Sequence, residues 1–132
     1  MNKVVARFMD GRLVKGTTLD FSMSKDVFHI VNVGPEPQWQ RQAIPVAELK
    51  ALFFVRDFAG DPSHEPHYDD DFVAPPGECC VDILFMDGER MLGATGRHHA
   101  GRSGFFVVPA DRDSNNERCY VLKSACREIA YC

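Results

Sequence analysis

The sequence predicts a mainly β protein made of two tandem five-stranded small barrels, one for each copy of an internal repeat. Two observations support this prediction. The residues Phe-Met-Asp-Gly occur twice, beginning at Phe8 and at Phe85, and the difference, 85 − 8 = 77, is an offset that aligns the two halves of the chain. Apolar and polar residues alternate before both copies, which is the period-2 pattern of strands with one buried face.

The 77-residue offset continues along most of the chain without a gap. It aligns Val4 with Val81, Gly16 with Gly93, Thr18 with Thr95, Phe28 with Phe105, Ile44 with Val121 and Leu52 with Ile129. The first repeat therefore covers residues 1–58 and the second covers 79–132. The connector, residues 59–78, holds four prolines, six acidic residues and no Lys or Arg, a composition typical of a solvated loop.

The Asp-Gly dipeptide of each copy predicts the turn of a hairpin. A two-residue turn would place Ala6 opposite Lys15 and so direct a lysine into the core. A three-residue loop, Met9-Asp10-Gly11, instead pairs Ala6 with Val14 and Val4 with Gly16. We therefore predict a type I turn followed by a bulge, with Gly11 and its equivalent Gly88 at positive φ.

Each repeat continues with three more predicted strands. A glycine within the second strand, Gly16 or Gly93, indicates a bend or close packing. The third strand is expected at residues 27–31 and 105–108, and the fourth at 41–46 and 118–123. A short helical turn, at 47–49 and 124–126, precedes the last strand, at 52–58 and 128–131.

Five strands with a helical turn before the fifth resemble the Src-homology-3-like small barrel. The leading pattern V-x-x-x-F-x-D-G-x-x-x-x-G is similar to the first motif of Sm-like proteins, and the whole chain resembles an uncharacterised bacterial family of tandem small barrels. This resemblance implies the fold and, through the Sm-like motif, a possible RNA-binding role.

Composition limits the class of protein. The chain has 132 residues, 45% of them hydrophobic, which is enough for a buried core. No apolar run has the length of a signal peptide or a membrane span, so we expect a cytoplasmic protein without membrane contact. Five cysteines without a zinc-type pair predict reduced thiols and no structural disulfide.

Two loops carry the candidate ligand-binding residues, and both follow the second strand of a repeat. In the second repeat Arg97, His98, His99 and Arg102 form a basic loop suited to phosphate or another anion. The matching loop of the first repeat contains Asp20, Ser22 and Lys25, and it resembles the D-x-S-x-x-G half of the PilZ signature for cyclic di-GMP, with Lys25 in place of the glycine. A solvated polar loop is the alternative interpretation of both segments.

The connector offers an alternative metal site. His64, His67 and Asp69 are ligand types that zinc and other divalent ions accept, but Pro66 prevents the two histidines from sharing a helical face. An acidic linker without metal is the competing interpretation. No arrangement of Ser, Cys, His and Asp predicts catalysis, so we expect neither an enzyme nor a cofactor.

Three functional classes remain open. The leading hypothesis is a noncatalytic module, a monomer or homodimer, that binds a protein partner through loops or edge strands. The second is a sensor of a small phosphate-bearing ligand such as a cyclic dinucleotide. The third is an Sm-like RNA-binding module, although nucleic acid is not expected because neither repeat carries a basic stripe.

Overall fold

A computed structural model describes residues 2–32, 40–59, 72–96, 101–111 and 114–132. Ten antiparallel strands form one sheet. The strands are β1 (Asn2–Phe8), β2 (Leu13–Thr18), β3 (Val27–Asn32), β4 (Arg41–Pro45), β5 (Leu49–Val55), β6 (Glu78–Phe85), β7 (Arg90–Gly96), β8 (Gly104–Pro109), β9 (Asn116–Leu122) and β10 (Cys126–Tyr131). Two short 3₁₀ turns, Val46–Glu48 and Lys123–Ala125, precede the last strand of each repeat.

The strands of the two halves follow the same order across the sheet. Across the sheet the strands run β10-β6-β7-β8-β9-β5-β1-β2-β3-β4, so each half places its last strand beside its first. The halves join where β5 pairs with β9, and we call this pairing the seam. The prediction of a mainly β protein is confirmed, in the form of one open sheet. Closure of each half into a separate barrel stays a prediction.

Both predicted hairpins have the register that the sequence indicates. Ala6 pairs with Val14 and Ile83 with Met91, while Phe8 and Phe85 close three-residue loops. Gly11 has φ of 93° and Gly88 has φ of 92°, the left-handed conformation that glycine adopts without strain. The repeated Phe-Met-Asp-Gly segment is therefore one bulged turn used twice.

The glycines inside the second strands allow a close approach of the third strands. A Cβ atom on Gly16 would overlap the carbonyl oxygen of Val31, and one on Gly93 would overlap that of Val108. Any side chain at these positions would push β2 away from β3, or β7 away from β8. The prediction of close packing at both glycines is confirmed.

The last strand of the first repeat begins three residues earlier than predicted. After the three-residue 3₁₀ turn, Leu49 already has extended backbone angles, with φ of −83° and ψ of 142°. All seven residues of β5 are buried. Six of the seven are apolar and only Lys50 is charged, a composition typical of a strand covered on both faces.

Two apolar clusters explain why β5 is covered on both faces. Leu49, Leu52 and Phe54 point into the cluster formed by the first repeat, whereas the alternate side chains join the cluster of the second repeat. Strand β9 behaves in the same way, since Tyr120 and Leu122 pack in the first cluster while Cys119 and Val121 pack in the second. Each half therefore completes the core of the other.

A disulfide joins Cys80 to Cys132, so the prediction of no structural disulfide is wrong. The pairing of β10 with β6 explains it. Tyr131 lies opposite Val81, which places the next residue along β10 beside Cys80, with 5.2 Å between the two Cα atoms. Among the remaining cysteines, Cys119 is fully buried, and burial raises the pKa of its thiol well above the ordinary value.

Candidate binding groove at the junction of the two repeats

The loop between β2 and β3 is held in place by Asp20. One carboxylate oxygen accepts the backbone N–H of His29 at 2.9 Å, and the other lies 2.8 Å from Nδ1 of the same histidine. The Thr18 hydroxyl completes the cluster, 2.8 Å from the His29 carbonyl and 3.3 Å from Asp20. Burial alone would raise the pKa of Asp20, but the hydrogen bonds from His29 lower it to about 2. Asp20 thus fixes the loop.

The loop that Asp20 holds in place positions Phe21 in an aromatic cluster that spans the seam. Its ring centroid lies 5.1 Å from those of Phe28 and Tyr120, 5.9 Å from Phe54 and 6.2 Å from Phe106, all edge to face. Such arrangements stabilise aromatic pairs beyond the area they bury. Because two of the contacted rings belong to the second repeat, the loop of the first repeat is anchored on both halves.

Arg118 covers the outer faces of two of these rings. Its guanidinium carbon lies 4.3 Å from the ring centroid of Phe54 and 5.0 Å from that of Phe106. A cation over an aromatic face is attracted by the ring quadrupole. We call this part of the surface the aromatic end; it is lined by Asn2, Thr18, Leu19, Phe21, Ser22, Met23, Phe54, Phe106 and Arg118.

The neighbouring part of the surface is polar. Arg102 Nη1 lies 3.8 Å from the sulfur of Met23, and the hydroxyls of Ser22 and Ser24 lie 2.9 Å apart. We call this part the serine end; it is a cavity of about 400 Å³ lined by Ser22, Met23, Ser24, Arg102, Ser103 and Tyr120. Ser22 and Met23 line both ends, so the two ends form one continuous surface, the junction groove.

The charges in the junction groove are all positive. Among the described residues no carboxylate lines either end, whereas Glu89 lines the cavity on the opposite side of the seam. Arg7, Arg12, Arg56 and Arg90 each form an ion pair. Within the described ranges, neither Arg102 nor Arg118 has a carboxylate at ion-pair distance. Two guanidiniums therefore face the groove without an anionic partner.

The structure brings together part of the predicted ligand set. Ser22 and Arg102, from equivalent loops of the two repeats, line the same cavity. Asp20 lies on the same loop, but its carboxylate is engaged by His29. Lys25 is exposed, and its backbone N–H donates to the Ser22 carbonyl at 3.2 Å. The remaining predicted ligands lie outside the described residues: Arg97, His98 and His99, together with the alternative metal ligands His64, His67 and Asp69.

Sequence reasoning missed three contributors to this region. Arg118 carried no signal for this groove, because its place beside Phe54 depends on the pairing of β5 with β9. His29 aligns with Phe106, so the first repeat has a polar ring where the second has an apolar one, and the sequence shows this difference. Ser103 carried no signal of its own, because its place in the groove depends on the pairing of β5 with β9.

In the part of the chain that the structure describes, no group of three or more His, Cys, Asp or Glu side chains could hold a metal ion. No helix among these residues is long and apolar enough to cross a membrane.

The fold and the groove define a class of protein, namely a mainly β chain in which two repeats share one sheet and a cationic groove at their junction. Over residues 1–132 the chain matches the model of a family of unknown function, DUF6982, and it belongs to that family. No curated protein and no solved structure matches the chain.

Proposed function

We propose that this protein is a noncatalytic interaction module that binds a protein partner in the junction groove. The observation that carries the proposal is a pair of guanidiniums, Arg102 and Arg118, that have no carboxylate at ion-pair distance and no carboxylate beside them in the groove among the residues that the structure describes. The whole chain has a net charge of −4, so this groove departs in sign from the rest of the molecule. Charge complementarity of this kind steers a partner and sets its orientation.

The apolar residues of the groove define a second property of the partner. Leu19 is 80% exposed and Met23 is 45% exposed, and both lie beside Arg118. Flexible thioether side chains adapt to varied apolar partners, and aromatic residues and Arg are enriched in interfaces. The partner segment that fits this groove therefore carries acidic and apolar side chains together.

A capture experiment tests the proposal. The protein is immobilised and exposed to extract from its source cells at low and at moderate salt, and bound polypeptides are identified. We expect a specific partner that Arg102→Gln combined with Arg118→Gln releases. Arg127→Gln is the matched control, because Arg127 is also exposed and donates only to the Met86 carbonyl, far from the groove in the sheet order.

Retention of every bound polypeptide by the double variant would contradict a partner site in the groove. Loss of binding in Arg127→Gln as well would mean that the effect follows total charge. A partner that the double variant alone releases supports the proposal, and its affinity should fall with salt because charged side chains at a surface are screened.

The phosphate-bearing ligand is the second candidate function. It is favoured by the placement of Ser22, from the segment that resembles PilZ proteins, in one cavity with Arg102. Saturable binding of cyclic di-GMP that Arg102→Gln abolishes would support this candidate over the first. The Sm-like RNA-binding hypothesis rests on the five strands of each repeat and on the 3₁₀ turn before the last one, features that also support the small-barrel hypothesis.

The cytoplasmic location stays a prediction. The Cys80–Cys132 disulfide is the observation that opposes it, because disulfides are rare in the reducing cytosol. Thiol labelling of the protein taken directly from its source cells tests the point. A protected Cys80–Cys132 pair would indicate an oxidising compartment, and two reactive thiols would support the cytoplasm.

A further inference from the structure

The serine end of the groove has a chemistry that the aromatic end lacks. Its polar side chains are three serines, one tyrosine and Arg102, and no carboxylate lines it. Hydroxyls and a guanidinium are the groups that hold a phosphate monoester, the guanidinium through two parallel N–H···O bonds. Arg102 is placed for this role, since its only described polar contact is with the weakly accepting Met23 sulfur.

We propose that the serine end is a phosphoryl-binding subsite, and that the phosphoryl group it takes is a phosphoserine or phosphothreonine of the protein partner. This inference rests on the proposed function, because it describes the chemistry of the same groove. Ser22, Ser24 and Ser103 supply hydroxyl donors, and Arg102 supplies charge. The backbone of the Ser22–Ser24 turn is held locally, as Ser24 N–H donates to the Ser22 hydroxyl at 3.3 Å.

The aromatic end indicates a peptide as the source of this group. A nucleotide base that stacks on an aromatic side chain needs an open ring face. Arg118 covers the faces of Phe54 and Phe106, and Phe21 makes edge contacts with four rings. Besides the polar Asn2, this end of the groove exposes two large apolar side chains, those of Leu19 and Met23. These side chains suit the apolar residues that flank a phosphorylated residue in a polypeptide.

An NMR titration of the full-length protein tests the inference. The ¹⁵N-labelled chain is titrated at constant ionic strength with four probes: inorganic phosphate, N-acetyl-O-phosphoserine amide, N-acetylserine amide and cyclic di-GMP. We expect saturable shifts of the amides of Ser22, Ser24 and Ser103 with the first two probes and none with N-acetylserine amide. The shifts should weaken below about pH 6, where a phosphate monoester loses its second charge.

Variants at Arg102 make the titration specific. Arg102→Gln should weaken phosphoserine binding by about tenfold, as expected for one charge-assisted contact. Arg102→Lys keeps the charge but lacks the planar fork, so it should restore only part of the affinity. Arg127→Gln, the matched control, should bind as the unchanged protein does.

Three results would overturn the inference. These are the absence of saturable shifts with both phosphate probes, equal binding by the protein and Arg102→Gln, and binding of cyclic di-GMP at least about tenfold tighter than phosphoserine. The last result would keep a phosphoryl site but assign it to a nucleotide. The proposed function fails separately. Capture of a partner without phosphate binding refutes only the subsite. Phosphate binding without any groove-dependent partner refutes the protein-binding module and the assignment of the phosphoryl group to a partner, and leaves an anion site.

Discussion

The seam and the two free edges of the sheet are made of equivalent strands, yet their side chains differ. At the seam β5 pairs with β9, and the 77-residue offset makes β10 and β4 their equivalents at the edges. The positions at which β5 presents Ala51, Phe53 and Val55 to the neighbouring repeat carry Glu128 and Ala130 in β10 and Cys132 directly after it. The large side chains Tyr120 and Leu122 of β9 become Ala43 and Pro45 in β4.

The charged residues at the seam also differ from the equivalent residues at the edges. Lys50 is buried and lies 2.6 Å from Asp87 and 3.4 Å from Glu89, both in the hairpin of the second repeat. If a second molecule paired with the edge as the two repeats pair at the seam, Arg127 would take the place of Lys50. It would then face Asp10 and Arg12 of the neighbouring molecule. The longer of the two ion pairs, Lys50 with Glu89, then becomes a repulsive pair of arginines, whereas the pair with the aspartate keeps its opposite charges. Charges and proline at an exposed strand are known devices against edge-to-edge association.

This comparison shows which positions distinguish an edge of the sheet from the seam. A head-to-tail contact between equivalent surfaces propagates unless something stops it. Among the described residues, a few positions of β4 and β10 have a composition that disfavours such a contact. The four predictions below either break the seam or make an edge resemble it, in order of decreasing expected effect.

The largest effect is expected from truncating a seam aromatic. Phe54 is 4% exposed and Tyr131, its equivalent on the edge strand, is 56% exposed. Phe54→Ala should lower the free energy of unfolding by about 3–5 kcal/mol, the usual cost for a buried phenylalanine. Tyr131→Ala should cost about 1 kcal/mol or less, and urea unfolding of both variants measures the difference. Equal losses would mean that the seam is no better packed than the edge.

The disulfide secures the end of the edge strand β10. Replacing both Cys80 and Cys132 with alanine should lower the free energy of unfolding by about 2–4 kcal/mol, because the cross-link no longer restricts the unfolded chain. Thermal and urea unfolding under non-reducing conditions measure the loss. An unchanged stability would show that β10 is held by its pairing with β6 alone. Cys79→Ala, which removes a free thiol next to the bond, is the matched control.

The Lys50 ion pair makes the seam sensitive to acid. The hydrogen bond from Lys50 lowers the pKa of Asp87, so this contribution is complete above the unfolded pKa near 4 and is lost as pH falls through the lower folded value. Asp87→Asn should destabilise the protein by about 1–2 kcal/mol at pH 7, since it leaves a buried cation with only Glu89.

The equivalent edge substitution is the control for this ion pair. Asp10 is bound by the exposed Arg12, so Asp10→Asn should lower the free energy of unfolding much less than Asp87→Asn does. Urea unfolding between pH 3 and pH 7 distinguishes the two positions. The difference in stability between the unchanged protein and Asp87→Asn should narrow toward pH 3; a constant difference would exclude ionisation of Asp87 as its cause.

The smallest effect is expected from making the edges resemble the seam. Glu128→Ala removes a charge at the position where β5 has Ala51. Arg12→Glu places a carboxylate at the position that Glu89 occupies in the second repeat, and the variant combines both substitutions. We expect this variant to self-associate at least about tenfold more tightly than the unchanged protein, as measured by sedimentation velocity at several concentrations. Stability should change little, because both positions are exposed. Unchanged sedimentation would show that Ala43, Ala130 and Pro45 already suffice to block the edges.

The local features of the fold could be predicted from the sequence, because they depend on neighbours along the chain. The bulged turns at Gly11 and Gly88 followed from the register that keeps Lys15 out of the core. The close approach at Gly16 followed from a glycine within a strand. The seam could not be derived in this way, since the pairing of β5 with β9 joins residues about 70 positions apart, such as Ala51 and Val121.

The candidate site could be predicted only in part for the same reason. Ser22 and Arg102 were singled out by their residue types, but their shared cavity depends on the seam. The sequence predicts Asp20 as a ligand, but in the structure its carboxylate is bound by His29. This contact could not be foreseen, because it requires the loop between the two residues to fold back. The disulfide was missed because Cys80 and Cys132 meet only through the register of β6 with β10.

The double-faced burial of β5 has a consequence for synthesis on the ribosome. The first repeat emerges complete before β9 has been translated, and until then Ala51, Phe53 and Val55 have no covering strand. Domains commonly fold as they emerge, and unpaired apolar edges are the surfaces at which nascent chains associate wrongly. The apolar face of β5 therefore stays uncovered until β9, which ends at Leu122, has left the exit tunnel. Two neighbouring nascent chains on one messenger RNA could exchange second repeats during that period, giving a domain-swapped dimer with the same seam.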